Sequence, residues 1–264
     1  MTAGQALQIG DYMTSRYEIL GMPFDKLAPA AFVESFVASA AQGEAGYVCV
    51  PNVAQCVMVH DDPEFAGMVA RADHIMSDSM VLHRFVDKKY GLPPIEVLRG
   101  DKLMLAICAE AATKGVPIAL LGGKDDALLG RLQAELERLF PGLRIAFGYS
   151  PPFRALSAEE EARLITEMGA SGAQVLFVGL GCPKQERWMA RHSPSLKMQM
   201  IGVGAAFDWI SGDQKASPDW VHAAGLEWLN RLVSEPRRLW KRYLTSSPRF
   251  LWLFYSKDRR PVKI

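Results

Sequence analysis

Short apolar segments alternate with segments of helical periodicity along most of this chain, and this alternation restricts the fold more than any other feature of the sequence. Each apolar segment is four to six residues long, which suits one buried strand. The predicted strands are residues 17–21, 47–50, 74–77, 117–121, 143–148, 174–179 and 199–203. Helical patterns lie between them at 29–41, 63–72, 80–88, 102–114, 125–139, 158–170 and 183–192. Strand–helix alternation of this kind predicts an α/β fold with a mostly parallel sheet flanked by helices.

Several predicted strands end in glycine or proline just before a helix begins. In open α/β sheets, ligands bind at the carboxyl ends of the strands, and glycine lets the backbone approach a ligand closely. The strand ends therefore offer four candidate ligand-binding glycines, Gly122, Gly123, Gly179 and Gly181.

The pattern changes near residue 212, where we place a boundary between an α/β domain (1–212) and a C-terminal appendage (213–264). The appendage contains eleven Lys and Arg against five Asp and Glu, a net charge of +6, and four of the six tryptophans. Two helices are predicted in it, one opening at Ser217-Pro218 with Trp220 and Trp228 on it, and one running from Pro236 towards residue 245.

A basic surface rich in tryptophan favours contact with an anionic partner. Arg238 and Arg242 are four residues apart, as are Arg237 and Lys241, and like charges at this spacing repel each other on a helix. An anionic membrane surface would offset that repulsion, and tryptophan prefers the membrane–water interface. A packed helical cap with a solvated basic face and a nucleic-acid surface are the alternatives, and we expect no nucleic-acid partner.

Composition and missing motifs narrow the function classes. Apolar residues make up 49% of the chain and charged residues 22%, which are values of an ordinary globular protein. No P-loop, HExxH or Asp-x-Asp motif occurs, so no metal clamp is expected. Two Gly-x-Gly segments, at 179–184 and 202–207, lack the third glycine of a dinucleotide fingerprint. We expect no cofactor, although an NAD-dependent or epimerising enzyme stays an alternative.

The segment 178–186, Val-Gly-Leu-Gly-Cys-Pro-Lys-Gln-Glu, is the most specific motif in the sequence. A helix that opens at Pro183 would present free N–H groups and a positive dipole end, which favour a diphosphate. Lys184 adds a positive charge, and Gln185 offers a donor and an acceptor for a sugar or a base. An ordinary strand-to-helix turn is the simpler interpretation.

Three other polar residues follow predicted strands or precede helices. Asp78 follows the strand 74–77, where its carboxylate would face a cleft as a general base or cap the next helix. Asn52 follows the strand 47–50, with the same choice between site and cap. Arg99 precedes a helix, where a cation opposes the helix dipole unless an anion binds beside it. His74 and His83 match no zinc spacing.

Together these segments resemble the WecG/TagA/CpsF family of glycosyltransferases (glycosyltransferase family 26), over about residues 21–243. The most specific matches are the segment 179–186 and the Glu-Trp-Leu and Glu-Pro-x-Arg patterns of 225–243. The resemblance implies a Rossmann-like fold, and inverting sugar transfer from a UDP-sugar to a saccharide on a polyprenyl diphosphate. It also implies a peripheral location at the cytoplasmic face of the cell membrane.

The resemblance also implies roles for individual residues. Asp78 resembles the proposed catalytic base, Asn52 a neighbouring site residue, and Gln185 the donor-contacting glutamine. Basic residues in the family's C-terminal appendage are proposed to meet the diphosphates, and the matching positions in this chain are Arg231, Arg238, Lys241 and Arg242. Val50 and the dipeptide Asp78-Ser79 depart from the common family pattern and leave the donor sugar open. A homo-oligomer and a non-catalytic membrane-surface adaptor also stay open.

Overall fold

The computed structural model describes residues 16–234 and 236–258, without the side chains of residues 234, 236, 238, 239 and 241–243. Its eight strands are β1 Arg16–Ile19, β2 Met22–Asp25, β3 Gly46–Cys49, β4 His74–Ile75, β5 Ile118–Gly122, β6 Ile145–Tyr149, β7 Val175–Gly179 and β8 Gln199–Gly202. Strands β3 to β8 form one sheet in the order β4-β3-β8-β7-β5-β6, and all of its pairings are parallel. The predicted α/β fold with a parallel sheet is confirmed.

Helices cover both faces of this sheet. The described residues form α1 Pro29–Ala41, α2 Val53–Asp61, α3 Pro63–Ala70, α4 Met80–Tyr90, α5 Gly100–Lys114, α6 Asp126–Leu139, α7 Ala158–Ala170, α8 Lys184–His192, α9 Ala206–Ile210, α10 Asp219–Ala224, α11 Glu227–Ser234 and α12 Pro236–Leu253. A π-helical turn, Phe254–Asp258, follows α12.

Alternate residues of the central strands enter two hydrophobic clusters on opposite faces of the sheet. In β5, Ala119 and Leu121 belong to one cluster, and Ile118 and Leu120 to the other. Burial on both faces is typical of parallel sheets and explains why these strands read as unbroken apolar runs.

The first predicted strand, 17–21, is instead one strand and a turn of a small hairpin. Strand β1 ends at Ile19 and pairs antiparallel with β2 through the two-residue turn Leu20-Gly21. Both turn residues have positive φ, 54° and 79°, as a type I′ hairpin turn requires. Leucine is rare in that conformation, but Leu20 is only 4% exposed, so burial stabilises a turn that its residue type does not favour.

The C-terminal segment 213–258 is divided differently from the prediction. Trp220 and Trp228 lie on separate helices, because the chain turns at Gly225 with φ 75°. Helix α12 runs eight residues beyond the predicted end at 245, to Leu253. Its end packs into the core, where Phe250 and Phe254 are at most 1% exposed. This segment is therefore partly continuous with the hydrophobic core of the α/β domain.

Candidate active site

A cavity of about 870 Å³ lies at the carboxyl edge of the sheet. Residues that follow β3, β4, β5, β6, β7 and β8 line it, and helices α10, α11 and α12 close its other side. Eight of the predicted site residues line this cavity: Asn52, Asp78, Gly123, Gly179, Gly181, Lys184, Gln185 and Arg231. The segment 213–258 thus faces the same cavity as the strand ends.

Glycine occupies each of these strand ends for a different structural reason. Gly122 and Gly179 lie side by side in β5 and β7, and a Cβ on Gly122 would fall 2.6 Å from the Gly179 backbone. A Cβ on Gly179 would fall 2.9 Å from the Phe207 ring. Gly181 has φ +74° and open space around it. Gly122 lies outside the cavity lining and serves strand packing, whereas Gly181 lets the chain turn into α8.

A buried network of amides and a carboxylate connects two strand ends under the cavity. Gln55 and Gln185 both donate to Glu186 Oε1, at 2.7 and 2.9 Å. The side chain of Gln185 is 4% exposed, and its Oε1 has no hydrogen-bond partner among the described residues. An unsatisfied buried acceptor is costly, and the residue that carries it lines the cavity.

Asn52 opens helix α2, which the sequence interpretation did not include. Its Oδ1 accepts from the N–H groups of Ala54 and Gln55, and Gln55 Oε1 accepts from the Asn52 N–H at 2.9 Å. This reciprocal capping box fixes Asn52 at the cavity wall. The capping and site interpretations of Asn52 are therefore compatible.

Asp78 lies at the cavity end formed by β4, and its neighbours are firmly held. The Ser77 hydroxyl donates to the Pro51 carbonyl and accepts from the Ser79 N–H. Ser79 caps helix α4 by accepting from the Leu82 N–H. Ser79, and not Asp78, is therefore the cap residue of α4, and Asp78 lines the cavity.

The surroundings of Asp78 shift its protonation. Burial raises the pKa of the Asp78 carboxyl to about 7, and the charge of Glu227 acts in the same direction. His222, Arg231 and a hydrogen bond from the Gly100 backbone favour the ionised form. A carboxyl group with a pKa near neutrality in a cleft has the properties of a general acid or base.

His222 and Glu227 are site residues that the sequence interpretation missed. Both line the cavity, and His222 Nδ1 lies 2.8 Å from Glu227 Oε2. They approach Asp78 only because the chain returns across the cavity about 145 residues later, and His222 belongs to no short motif. The Glu-Trp-Leu pattern held the one available signal, because it includes Glu227.

Arg99 and Arg231 lie beside the same indole ring but in different environments. Their guanidinium groups lie 5.2 and 5.6 Å from the Trp209 ring centroid. Arg231 lines the cavity, whereas Arg99 is 4% exposed, donates twice to Asp101 and once to the Ser217 carbonyl, and lies outside the cavity lining. The anion expected beside Arg99 is thus Asp101 in the first turn of α5, and we exclude Arg99 from the proposed site.

The opposite end of the cavity carries a second charged group. Lys124 donates to both carboxylate oxygens of Asp213, at 2.6 and 2.7 Å, and Arg131 donates to the same carboxylate at 2.9 Å. Phe153 also lines the cavity and is 90% exposed. This end is suited to a polar ligand with an aromatic face. The sequence interpretation included Gly123 there but none of these side chains.

The basic residues of α12 are only partly placed. The side chains of Arg238, Lys241 and Arg242 lie outside the described residues.

Within the described part of the chain, no group of three or more His, Cys, Asp or Glu residues is arranged to hold a metal ion, and no helix combines the length and the apolar character of a membrane span.

The parallel sheet carries a large cavity at its carboxyl edge, lined by apolar surface and a few polar groups, and a titratable carboxyl group lies in it. This is the architecture of a ligand-binding α/β enzyme. The chain belongs to the glycosyl transferase WecG/TagA/CpsF family, whose model matches residues 17–263. The resemblance found in the sequence is confirmed, and the cavity is the candidate site for a sugar donor and an acceptor.

Proposed function

We propose that this glycosyltransferase moves a sugar from a UDP-sugar to a saccharide carried on a polyprenyl diphosphate, in surface polysaccharide biosynthesis. The observation that carries the proposal is the Asp78 carboxyl group, which lies in the cavity among charged partners and has a pKa raised to about 7. Glycosyl transfer to a hydroxyl group needs such a group, because the acceptor must lose a proton as it attacks.

In the proposed mechanism Asp78 accepts that proton. The acceptor oxygen forms a bond to the anomeric carbon from the face opposite the UDP, so the configuration inverts. The bond between the anomeric carbon and the diphosphate oxygen breaks, and the electron pair leaves with UDP. A base whose pKa lies near the working pH combines the ionised state with an adequate affinity for the proton.

Negative charge then grows on the leaving diphosphate, and the cavity offers groups to stabilise it. Helix α8 begins at Lys184, which lines the cavity, so the positive end of the helix dipole lies at this wall. Lys184 and Arg231 line the cavity with positive charge. Gln185, which also lines the cavity, is proposed to contact the sugar donor. In this proposal the reaction proceeds without a metal ion or cofactor.

The exposed apolar surface supports contact with a membrane. Ten of the twelve large hydrophobic side chains exposed in the described residues lie between Trp220 and Tyr255. Concentrated exposed apolar surface marks an interaction site, and tryptophan suits the headgroup region. We propose that this surface, on the segment that also lines the cavity, brings the site to a lipid-linked acceptor at the inner face of the membrane.

A donor panel tests the proposal. Purified protein is incubated with individual UDP-sugars and a polyprenyl-diphosphate-linked saccharide in detergent, and UDP release is measured. We expect release with at least one UDP-hexose or UDP-uronic acid, and only when the acceptor is present. Conversion of a UDP-sugar without acceptor, together with nicotinamide absorbance of the purified protein, would favour the epimerising alternative instead.

A further inference from the structure

Four ionisable side chains converge at the β4 end of the cavity from three parts of the chain. Asp78 comes from the loop after β4, His222 from α10, and Glu227 and Arg231 from α11. Glu227 and Arg231 are four residues apart on α11 and therefore lie on one face of that helix. This face closes the cavity over Asp78.

His222 is held at both ring nitrogens. Nδ1 lies 2.8 Å from a Glu227 carboxylate oxygen, and Nε2 lies 3.3 Å from the Val97 carbonyl oxygen. The Val97 carbonyl can only accept, so Nε2 carries a proton, and the carboxylate group beside Nδ1 favours a second proton on the ring. The Glu227 hydrogen bond accordingly raises the pKa of His222. A ring with both nitrogens protonated and engaged has no lone pair to take a proton from an acceptor.

The charges around Asp78 act in opposite directions. Glu227 disfavours the ionised Asp78, and both His222 and Arg231 favour it. Beyond this cluster, Arg99 interacts with Glu227 and His83 with His222, and Arg84 donates to the carbonyls of residues 223 and 224 at 2.8 and 3.0 Å. As a cation and an anion in direct contact, His222 and Glu227 add little net charge beside Asp78.

We propose that His222 and Glu227 are a pair of positioning residues whose balanced charges set the pH range in which Asp78 acts as the base. The inference rests on the proposed role of Asp78. His222 acts as a fixed cation that neutralises Glu227, and Glu227 holds the ring in place. Neither residue needs to touch the reacting atoms.

Opposite shifts should follow from removing one charge of the pair. In Glu227→Gln, His222 stays cationic below its ordinary pKa of about 6.5, so the cluster gains positive charge and Asp78 stays ionised to lower pH. In His222→Gln, the Glu227 charge is unbalanced, so Asp78 becomes protonated at higher pH. A neighbouring charge shifts a carboxyl pKa by about 1 unit or more, and each single variant should move the acidic limb of kcat/KM by about 1 pH unit.

The double variant His222→Gln/Glu227→Gln separates electrostatics from structure. It removes both charges, so we expect its acidic limb to return to within about half a pH unit of the wild-type limb. A purely structural role predicts that the double variant departs from wild type at least as far as either single variant. Glu137→Gln, on the exposed surface of α6, is the matched control and should leave the limb unchanged.

A carbon-13 NMR titration of aspartate side-chain carboxyl groups provides a readout that does not depend on activity. The Asp78 resonance is assigned by its absence in Asp78→Asn, and its midpoint is measured in the three variants. Opposite shifts in the single variants with return in the double variant support the inference. Equal Asp78 midpoints in the wild type and the three variants would overturn the inference about His222 and Glu227, even if Asp78→Asn is inactive. Full activity of Asp78→Asn would instead remove the base role itself.

Discussion

Asp258 anchors the end of the described chain to the core, and its substitution tests whether this segment belongs to the fold. Its Oδ1 accepts from Lys89 Nζ at 2.7 Å, and its Oδ2 accepts from the Leu20 N–H at 3.0 Å. The Lys89 side chain is 0% exposed, and its one other hydrogen-bond partner among the described residues is the Glu18 carbonyl at 2.9 Å. The Lys89 Nζ also lies 5.2 Å from the centroid of the Tyr90 ring. Asp258→Ala would therefore leave a buried ammonium group with a single neutral acceptor.

The expected loss is large because the remaining charge cannot reach water. Removing one partner of a buried ion pair costs about 3–5 kcal/mol. The Asp258 side chain is 11% exposed, which favours the lower end, so we expect about 3 kcal/mol. With a urea m-value of about 3 kcal/mol/M for a chain of this size, the unfolding midpoint should fall by about 1 M in Asp258→Ala.

Urea unfolding followed by circular dichroism measures this shift. Lys257→Ala is the matched control, because Lys257 is exposed and its described interaction is with the face of Trp252. Its midpoint should change by no more than about 0.2 M. A loss below 1 kcal/mol in Asp258→Ala, at an unchanged m-value, would show that the segment does not dock on the core as described.

Two further predictions follow from the site and the surface. Gly202→Ala would place a Cβ 2.6 Å from Gln185 Nε2, so we expect a stability loss of about 1–3 kcal/mol in urea unfolding, together with a raised donor KM. Replacing Trp220 and Trp252, which are 69% and 59% exposed, by serine should weaken co-sedimentation with anionic vesicles several-fold. Leu139→Ser, which changes an exposed apolar side chain outside the segment 213–258, should leave co-sedimentation unchanged. Equal binding by the wild type, the tryptophan variant and Leu139→Ser would contradict a membrane-binding surface.

Most of the parallel sheet could be predicted from local sequence. Its central strands β3, β5, β7 and β8 are buried on both faces and read as unbroken apolar runs. The predicted helix 158–170 has the bounds of α7. The glycines at the strand ends were also predicted, although Gly122 lies outside the cavity lining and serves close packing against Gly179 instead. Local propensity and burial agree in these elements.

The rest depends on contacts that local sequence does not contain. Strand β2 was missed because a buried leucine occupies a turn position that favours glycine or asparagine. The sequence analysis expected an anionic ligand beside Arg99, whereas the anion is Asp101, two residues away. Sequence spacing alone does not show which way these two side chains point. His222 and Glu227 reach Asp78 only through the tertiary fold, which brings α10 and α11 over the cavity.

Because Phe250 and Phe254 are buried, deletion of the chain after residue 212 would expose core surface. Surface substitutions therefore test the membrane role more cleanly than truncation does.

The central claim is that Asp78 is the base of a sugar transfer, and the pH dependence of Asp78→Asn tests it most directly. The substitution removes the proton acceptor with little change in shape, and general-base catalysis contributes about 10²–10⁴-fold. With lipid-linked acceptor at pH 8, turnover should fall by that factor. The wild-type kcat/KM should decline below about pH 7, where the Asp78 carboxyl becomes protonated, and this limb should be missing from the variant. Turnover of Asp78→Asn within tenfold of wild type, with the same acidic limb, would contradict the account.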